Sequence, residues 1–184
     1  MKEITKISQY LTFYLGEEMF TLDISQVREV LDFIKLTKVP RTPEFMKGII
    51  NLRGSVVPVI DLRLKLGMSQ TLKTLNTRII IVEVDVDGEK TILGVLADSV
   101  KDVIELEPDQ IIAPPKIGTR LKTDFIKGMG RHGNQFIIIL DIDKVFSTDE
   151  LAVVQDIEKI SDLKEKIHNG SNHERNELAK PKNI

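Results

Sequence analysis

The side chains that could carry acid–base or metal chemistry are few and scattered. The chain of 184 residues has three histidines and no cysteine. Without a thiol there is neither a cysteine nucleophile nor a thiolate metal site. His168 and His173 lie in a polar C-terminal stretch, and His132 lies in a glycine-containing turn where we expect it to be solvated. These residues predict no catalytic site and no metal site.

Short sequence motifs lead to the same conclusion. The chain contains no P-loop, no G-x-S-x-G elbow and no H-E-x-x-H pair. Residues 128–130, Gly-Met-Gly, lack the third glycine of a dinucleotide-binding loop. Asp85 and Asp87 flank a hairpin turn, which is a weak basis for a metal site. We therefore predict a protein that has no enzymatic activity and needs no cofactor.

Three other charged residues have structural interpretations. Asp61 and Asp141 each follow an apolar run, and we expect each to cap the N-terminus of the next turn. Arg53 stands in an apolar neighbourhood, where an unpaired guanidinium would be costly. Glu29 is the predicted partner of Arg53 in an internal ion pair. The alternative, in which Arg53 faces a protein ligand, stays open.

The sequence contains an internal repeat. A shift of 80 residues places 45–49 on 125–129 and 57–62 on 137–142, and a shift of 73 places 27–31 on 100–104. Both copies keep the order of turn, Lys-Gly, strand and Asp. We interpret the chain as two copies of a unit of about 70 residues, because a solenoid would need three or more units.

The elements that must position these residues are short strands separated by tight turns. Gly16 and the Asp87-Gly88 pair mark two hairpins. Near the C-terminus, Ser147 and Glu150 form a capping box, and apolar residues spaced by three predict an amphipathic helix over 149–167. Residues 168–184 have too little apolar surface to fold, so we expect a disordered tail.

The sum of these elements predicts a mainly β protein with a C-terminal amphipathic helix. Two small antiparallel barrels packed side by side fit best, with approximate limits of 8–68 and 76–148 and an exchange of edge strands left open. A unit of about 70 residues is marginally stable alone. The halves must therefore share an apolar interface, and a groove between them would suit an apolar partner.

Composition narrows the class of partner. The net charge is −2 and aromatic residues make up 5% of the chain, which argues against nucleic-acid binding. No apolar run approaches the roughly 20 residues that cross a bilayer, and the N-terminus lacks the apolar core of a signal peptide. We expect a soluble cytoplasmic protein that does not insert into a membrane.

Several of these segments together resemble the CheW family of bacterial chemotaxis adaptors. The resemblance covers roughly residues 8–150, and the block from Asn51 to Arg63 is its most specific part. The matching segments are VREV at 27–30, VPRTPEFMKG at 39–48, NLRGSVVPVIDLR at 51–63, GVLADSV at 94–100, the prolines at 114–115, IKG at 126–128 and LDIDK at 140–144.

The resemblance implies a fold, partners and a location. It implies two SH3-like five-stranded β-barrels without catalysis, which bind the regulatory domain of the histidine kinase CheA and the cytoplasmic tip of chemoreceptors. The protein would then work in the cytoplasm at membrane-associated receptor arrays. By this resemblance a receptor helix lies in the groove between the barrels. The implied groove residues are Val27, Val30, Ile49, Leu52 and Val100, with Lys47, Gly48 and Arg53 close to them.

Two alternatives to a chemotaxis adaptor stay open. One is a CheW-like adaptor in a non-motility chemosensory pathway, which would have the same barrels. The other, of a different class, is a small-barrel protein that binds nucleic acid or a small ligand, against which the charge and the scarcity of aromatic residues argue. The length of the chain leaves no room for the fused receiver domain of a related family.

Overall fold

The computed structural model describes residues 6–114, 123–160 and 163 and consists mainly of short strands. One helical turn, α1 (Leu62–Lys65), follows the fifth strand, and a longer helix, α2, covers 148–160. The strands are β1 (Ser8–Leu15), β2 (Glu18–Asp23), β3 (Val27–Asp32), β4 (Met46–Leu52), β5 (Ser55–Ile60), β6 (Arg78–Val86), β7 (Glu89–Ala97), β8 (Ser99–Leu106), β9 (Ile111–Ile112), β10 (Ile126–His132) and β11 (Gln135–Leu140).

The strands form two curled sheets. Sheet A has the strand order β8-β1-β2-β11-β10-β9, and sheet B has the order β3-β6-β7-β5-β4. The predicted mainly β fold, with two SH3-like subdomains and a C-terminal helix, is confirmed. Sheet A has six strands rather than the predicted five because the two-residue strand β9 pairs with β10.

Tight turns join the strands where the sequence predicts hairpins. Asp87 and Gly88, between β6 and β7, have φ angles of 54° and 83°. Two successive left-handed residues are typical of a type I′ turn, whose twist matches that of the flanking strands. The predicted hairpin at Gly16 is also present, as the pairing of β1 with β2. These local turns set the register of both hairpins.

Each sheet combines strands from both copies of the repeat. Sheet A takes β1 and β2 from the first copy and β8 to β11 from the second. Sheet B takes β6 and β7 from the second copy and β3 to β5 from the first. The exchange is reciprocal, since the two parallel pairs, β2 with β11 and β7 with β5, occupy equivalent places. Each sheet thus draws on both copies of the repeat, and neither sheet is confined to 8–68 or to 76–148.

The equivalence of the two copies extends to single hydrogen bonds. The β4–β5 register shifts between Met46 and Gly48, and the β10–β11 register shifts at the corresponding place. The backbone N–H of Asp61 donates to the carbonyl of Phe45, and that of Asp141 donates to the carbonyl of Phe125, both at 2.7 Å. The repeat in the sequence therefore corresponds to a repeat in the fold.

The buried apolar side chains form three clusters. One lies within sheet B around Val59 and Ile81, and one lies within sheet A around Tyr10 and Ile137. The third and largest, here called the shared cluster, joins the two sheets and supplies the apolar interface that the small size of each half requires. Its buried members include Leu11, Phe13, Leu15, Phe20 and Leu22 of sheet A, Ile80, Val82, Val84, Leu93 and Val95 of sheet B, and Leu151 and Val154 of α2.

Helix α2 begins at the predicted capping box and packs on the shared cluster. The Ser147 N–H donates to Glu150 at 2.8 Å, and the Glu150 N–H donates to the Ser147 hydroxyl at 3.2 Å. Lys65 of α1 lies 2.7 Å from the same carboxylate. Burial alone would raise the pKa of Glu150, but the Lys65 ammonium and the Ser147 N–H lower it overall.

The predicted helix and tail extend past the described residues. Residues 148–160 and 163 are helical, while the rest of the predicted helix over 149–167 and the tail over 168–184 lie outside the described residues. In the part of the chain that is described, no helix is both long enough and apolar enough to cross a membrane.

Candidate partner-binding groove

The histidine and the carboxylates that could take part in acid–base or metal chemistry are either exposed or hydrogen-bonded within the fold. His132 is exposed at the end of β10. Asp85 accepts from the Gly88 N–H at 3.0 Å and so supports the turn. Asp143 accepts from Gln26 and from the Asp85 N–H, and burial raises its pKa. Among the described residues, no group of three or more acidic or histidine side chains could hold a metal ion.

Asp61 and Asp141 differ although they occupy equivalent places. The buried Asp61 carboxylate accepts from the Arg63 N–H at 3.1 Å, from the Thr71 N–H at 2.8 Å and from the Thr71 hydroxyl at 2.8 Å. Asp61 therefore caps α1, as predicted, and also fixes the linker between the copies. Asp141 stands at the start of the 3-10 turn Ile142–Lys144 but its side chain makes no capping hydrogen bond, so the prediction for Asp141 was wrong.

Three of the predicted groove residues lie against the shared cluster. Val27 of β3, Ile49 of β4 and Val100 of β8 are half-buried and pack on it from its edge. They come from both sheets, since β3 and β4 belong to sheet B and β8 to sheet A. Both sheets therefore contribute half-buried apolar side chains that pack on the shared cluster.

Two other predicted groove residues have different surroundings. Leu52 packs against the cluster inside sheet B. Val30 is 38% exposed on β3, one of the two edge strands of sheet B. The structure thus brings Val27, Ile49 and Val100 to one cluster and leaves Leu52 and Val30 apart from it.

Lys47 and Gly48 precede Ile49 on β4. The Lys47 ammonium lies 3.3 Å from the side-chain oxygen of Gln70 in the linker. Gly48 has a φ of 151°, and a Cβ at this position would lie 2.5 Å from the carbonyl oxygen of Thr37. Only glycine allows the segment around Thr37 to pair with Ile49 so closely.

Arg53 and Glu29 make a bidentate ion pair across sheet B. The two guanidinium nitrogens lie 2.7 Å and 2.9 Å from the two carboxylate oxygens. The hydrogen bond from Arg53 lowers the pKa of Glu29. This contact connects the β4–β5 turn to β3, so it links the two edge strands of sheet B.

The expected apolar neighbourhood of Arg53 was wrong. Its side chain is 75% exposed, because Arg53 and Gly54 form the β4–β5 turn with φ angles of 52° and 87°. Asn51 supports the turn by accepting from the Gly54 N–H at 2.8 Å. Arg53 thus has the predicted type of partner and at the same time a surface on which a ligand could contact it.

Reversing both charges of this ion pair is expected to recover the stability that either single reversal removes. Glu29→Arg and Arg53→Glu each place like charges together, whereas the double variant restores an opposite pair. Melting temperatures of the four proteins, followed by circular dichroism, measure this coupling. Added salt should reduce it, because Arg53 is exposed. A double variant no more stable than either single variant would show that the contact contributes nothing.

One contact near the groove was not predicted. A guanidinium nitrogen of Arg63, in α1, lies 3.0 Å from the Asp98 carboxylate. That carboxylate also accepts from the Gly16 N–H, and the other guanidinium nitrogens of Arg63 donate to Ser69 at 2.8 Å. This side chain therefore connects the end of sheet B, the β1–β2 turn and the linker. Arg63 and Asp98 both lie in the segments that carry the family resemblance, but 35 residues separate them and no spacing rule joins them.

A second surface feature lies on sheet A. An open depression of about 290 Å³ is formed by Tyr14, Glu17, Glu18, Met19, Gln135 and Phe136 on sheet A. It includes none of the predicted groove residues.

Comparisons with known proteins converge on one family. The model of the CheW-like domain matches residues 9–150. The chain is 35% identical over 151 residues to the chemotaxis protein CheW of Klebsiella aerogenes, covering 82% of this chain and 89% of the relative. It is 31% identical over 143 residues to CheW of Treponema pallidum, covering 78% and 84%. The crystal structure of the scaffolding protein TtCheW from Thermoanaerobacter tengcongensis superposes with a TM-score of 0.69 at 38% identity, covering 79% of this chain and 96% of that one.

Proposed function

This chain belongs to the CheW family of non-enzymatic chemotaxis scaffolding proteins, and we propose that it couples the cytoplasmic tips of chemoreceptors to the histidine kinase CheA. The receptor tip would occupy the groove, and the regulatory domain of the kinase would bind the outer ends of the sheets. The protein would act in the cytoplasm, at receptor arrays that are anchored in the membrane by the receptors themselves.

The observation that supports this proposal most is that both sheets contribute half-exposed apolar side chains around the shared cluster. Val27, Ile49 and Val100 pack on the shared cluster and remain half-exposed at its edge. Glu29 lies on β3 and Arg53 lies at the β4–β5 turn of the same sheet. A half-buried apolar strip with charged neighbours suits a helix that has one apolar face, which is the helix-in-groove mode of recognition.

The proposed mechanism depends on two partners binding to one protein whose two sheets share a buried core. The shared cluster joins the two sheets through buried side chains of both. A change in the receptor that alters its contacts in the groove can then alter the contacts of the kinase with the same protein. In thermodynamic terms, the adaptor supplies a coupling free energy between the receptor state and the kinase state.

Binding measurements with groove variants test this proposal. The full-length protein is expected to bind both a chemoreceptor tip and a CheA kinase encoded by the same genome. Val27→Glu and Val30→Glu should each weaken receptor binding about tenfold or more, because a carboxylate would be buried against an apolar helix face. Kinase binding should be unchanged. Calorimetric titration of each purified partner gives both affinities.

Val103→Glu is the matched control. Val103 is equivalent to Val30 under the shift of 73 and is 49% exposed on β8, outside the predicted groove. It should keep both affinities at the wild-type level. Failure of the folded wild-type protein to bind any kinase or receptor of its genome would exclude the proposal. Equal receptor affinity in Val27→Glu, Val30→Glu and the wild type would place the receptor elsewhere on the surface.

A further inference from the structure

Two segments beside the groove carry a strong excess of positive charge. Residues 33–48 and 67–77 contain five cations and a single carboxylate, Glu44, in a chain whose net charge is −2. The cations are Lys35, Lys38, Arg41, Lys47 and Lys73, here called the basic rim. The excess is therefore a local property of this surface and does not reflect the composition of the protein.

Three contacts bring the two segments together at the start of β4. Thr37 and Ile49 exchange backbone hydrogen bonds of 3.0 Å and 2.9 Å, which places the first segment beside β4. Lys47 of β4 contacts Gln70 of the linker at 3.3 Å. The Lys73 ammonium lies 4.6 Å from the centre of the Phe33 ring, which connects the linker back to the first segment. The basic rim is therefore continuous with Ile49 of the groove.

The cations of the rim have no carboxylate partner in the part of the chain that the structure describes. Within the described residues, no carboxylate oxygen lies within 4.0 Å of any of the five, whereas several other surface cations are paired. Arg28 and Lys90, for example, both contact Glu83. Like charges on one surface repel each other, so binding of an anionic partner over them lowers the electrostatic free energy of the protein.

Large apolar side chains are exposed among these cations. Leu75 is 97% exposed, Leu72 is 69% exposed and Ile34 is 43% exposed. All three belong to the same two segments. A surface that combines free cations with exposed aliphatic side chains matches a partner that carries carboxylates next to an apolar face.

We propose that the basic rim binds an acidic, amphipathic segment of the helical partner that occupies the groove. This inference rests on the proposed function and adds the chemistry of the partner: its apolar face contacts Ile49 and the exposed leucines, and carboxylates beside that face contact the rim. A protein segment is favoured over a lipid surface because the rim continues along β4 to Ile49 of the proposed groove, which a helix can follow and a flat bilayer cannot.

Charge reversal with a matched control tests the role of the rim. The rim variant carries Lys35→Glu, Lys38→Glu and Lys73→Glu, none of which belongs to the predicted groove. The control carries Lys6→Glu, Arg131→Glu and Lys159→Glu, which change the net charge equally at exposed positions outside the two segments. Affinity for the purified receptor tip is measured from about 0.05 M to about 0.5 M NaCl, together with affinity for the kinase.

The rim variant is expected to bind the receptor tip about tenfold more weakly at low salt and to show a smaller salt dependence than the wild type. The control should bind within about twofold of the wild type, and both variants should keep kinase binding. Replacing the carboxylates of the receptor segment by amides should cause the same loss, and the two losses should not add, because they remove the same contacts.

Three results would overturn the inference, each in a distinguishable way. Equal receptor binding by the rim variant, together with loss of binding in Val27→Glu, would reject the rim and keep the proposed function. No receptor binding by the wild-type protein would reject both. Sedimentation of the wild type, but not of the rim variant, with vesicles of phosphatidylglycerol and phosphatidylcholine, at unchanged receptor affinity, would assign the rim to the membrane surface.

Discussion

Phe13→Ala is expected to lower the free energy of unfolding by about 3–5 kcal/mol, the usual cost of truncating a fully buried phenylalanine. Phe13 is 0% exposed and lies in the shared cluster. Its ring stacks on that of Phe20, with the centroids 6.2 Å apart, and its backbone pairs with Val100 of β8. Since globular domains are stable by about 5–15 kcal/mol in total, this one change should remove a large part of the stability.

The loss should affect both sheets together. Each sheet contains strands of both copies, so neither sheet can unfold without disrupting the other. Urea unfolding followed by circular dichroism should give one transition at a lower midpoint, and hydrogen exchange should accelerate in β1 and β6 alike. Val103→Ala on the exposed side of β8 is the control and should cost under about 1 kcal/mol. Independent transitions for the two sheets would contradict this prediction.

Phe13→Leu is a milder variant that keeps the prediction testable if Phe13→Ala does not fold. This change keeps most of the buried volume, so it should cost less than Phe13→Ala while affecting both sheets in the same way. If Phe13→Leu accelerated exchange only in sheet A, the shared cluster would not couple the sheets.

Asp61→Ala is expected to lower the free energy of unfolding by about 3 kcal/mol, since it removes a helix cap and leaves two donors of Thr71 without an acceptor. Asp61 is 0% exposed and accepts three hydrogen bonds, from Arg63 and Thr71. The loss should appear as a lower midpoint in urea unfolding and as faster hydrogen exchange in the linker around Thr71.

Asp141→Ala provides a control at the equivalent position of the second copy. Asp141 makes no capping hydrogen bond, and its carboxylate lies 3.7 Å from the exposed ammonium of Lys144. Such exposed pairs contribute little, so this variant should lose less than about 1 kcal/mol. Asp61→Asn should fall between the two, because an amide keeps one acceptor but presents a donor to the Thr71 N–H. Equal losses in Asp61→Ala and Asp141→Ala would show that the contacts with Thr71 contribute no stability.

Asp61 and Asp141 show what a local sequence pattern can and cannot predict. Both residues follow an apolar strand and both precede a turn, so a local pattern predicts one role for both. The difference arises because Thr71, in the linker, donates to Asp61, whereas among the described residues the Asp141 carboxylate is paired with Lys144. The basic rim was missed for a similar reason: Lys38 and Lys73 are distant in sequence, and only the contacts around β4 bring their segments together.

Arg53 shows the opposite kind of error. Its neighbours in sequence are apolar, which indicated a buried guanidinium, but the left-handed backbone of the turn leaves the side chain exposed. Glu29 nevertheless lies within hydrogen-bond distance of it. Charge complementarity predicted Glu29 as the partner of Arg53. The exposure of Arg53 depends on the backbone conformation of the turn, which a hydropathy pattern does not predict.

The sequence alone determined the features that depend on neighbours along the chain. The Asp87-Gly88 turn, the capping box at Ser147 and the repeat of about 70 residues were all readable because each needs only local geometry or self-similarity. The family resemblance rests on the same kind of continuous motif. Only the tertiary structure decided that the two copies exchange hairpins, and so which strands lie side by side in each sheet. Because equivalent strands of the two copies are alike, local patterns allow each hairpin to pair within its own copy or with the other copy. Which of these pairings forms depends on the connections along the whole chain and on the shared cluster.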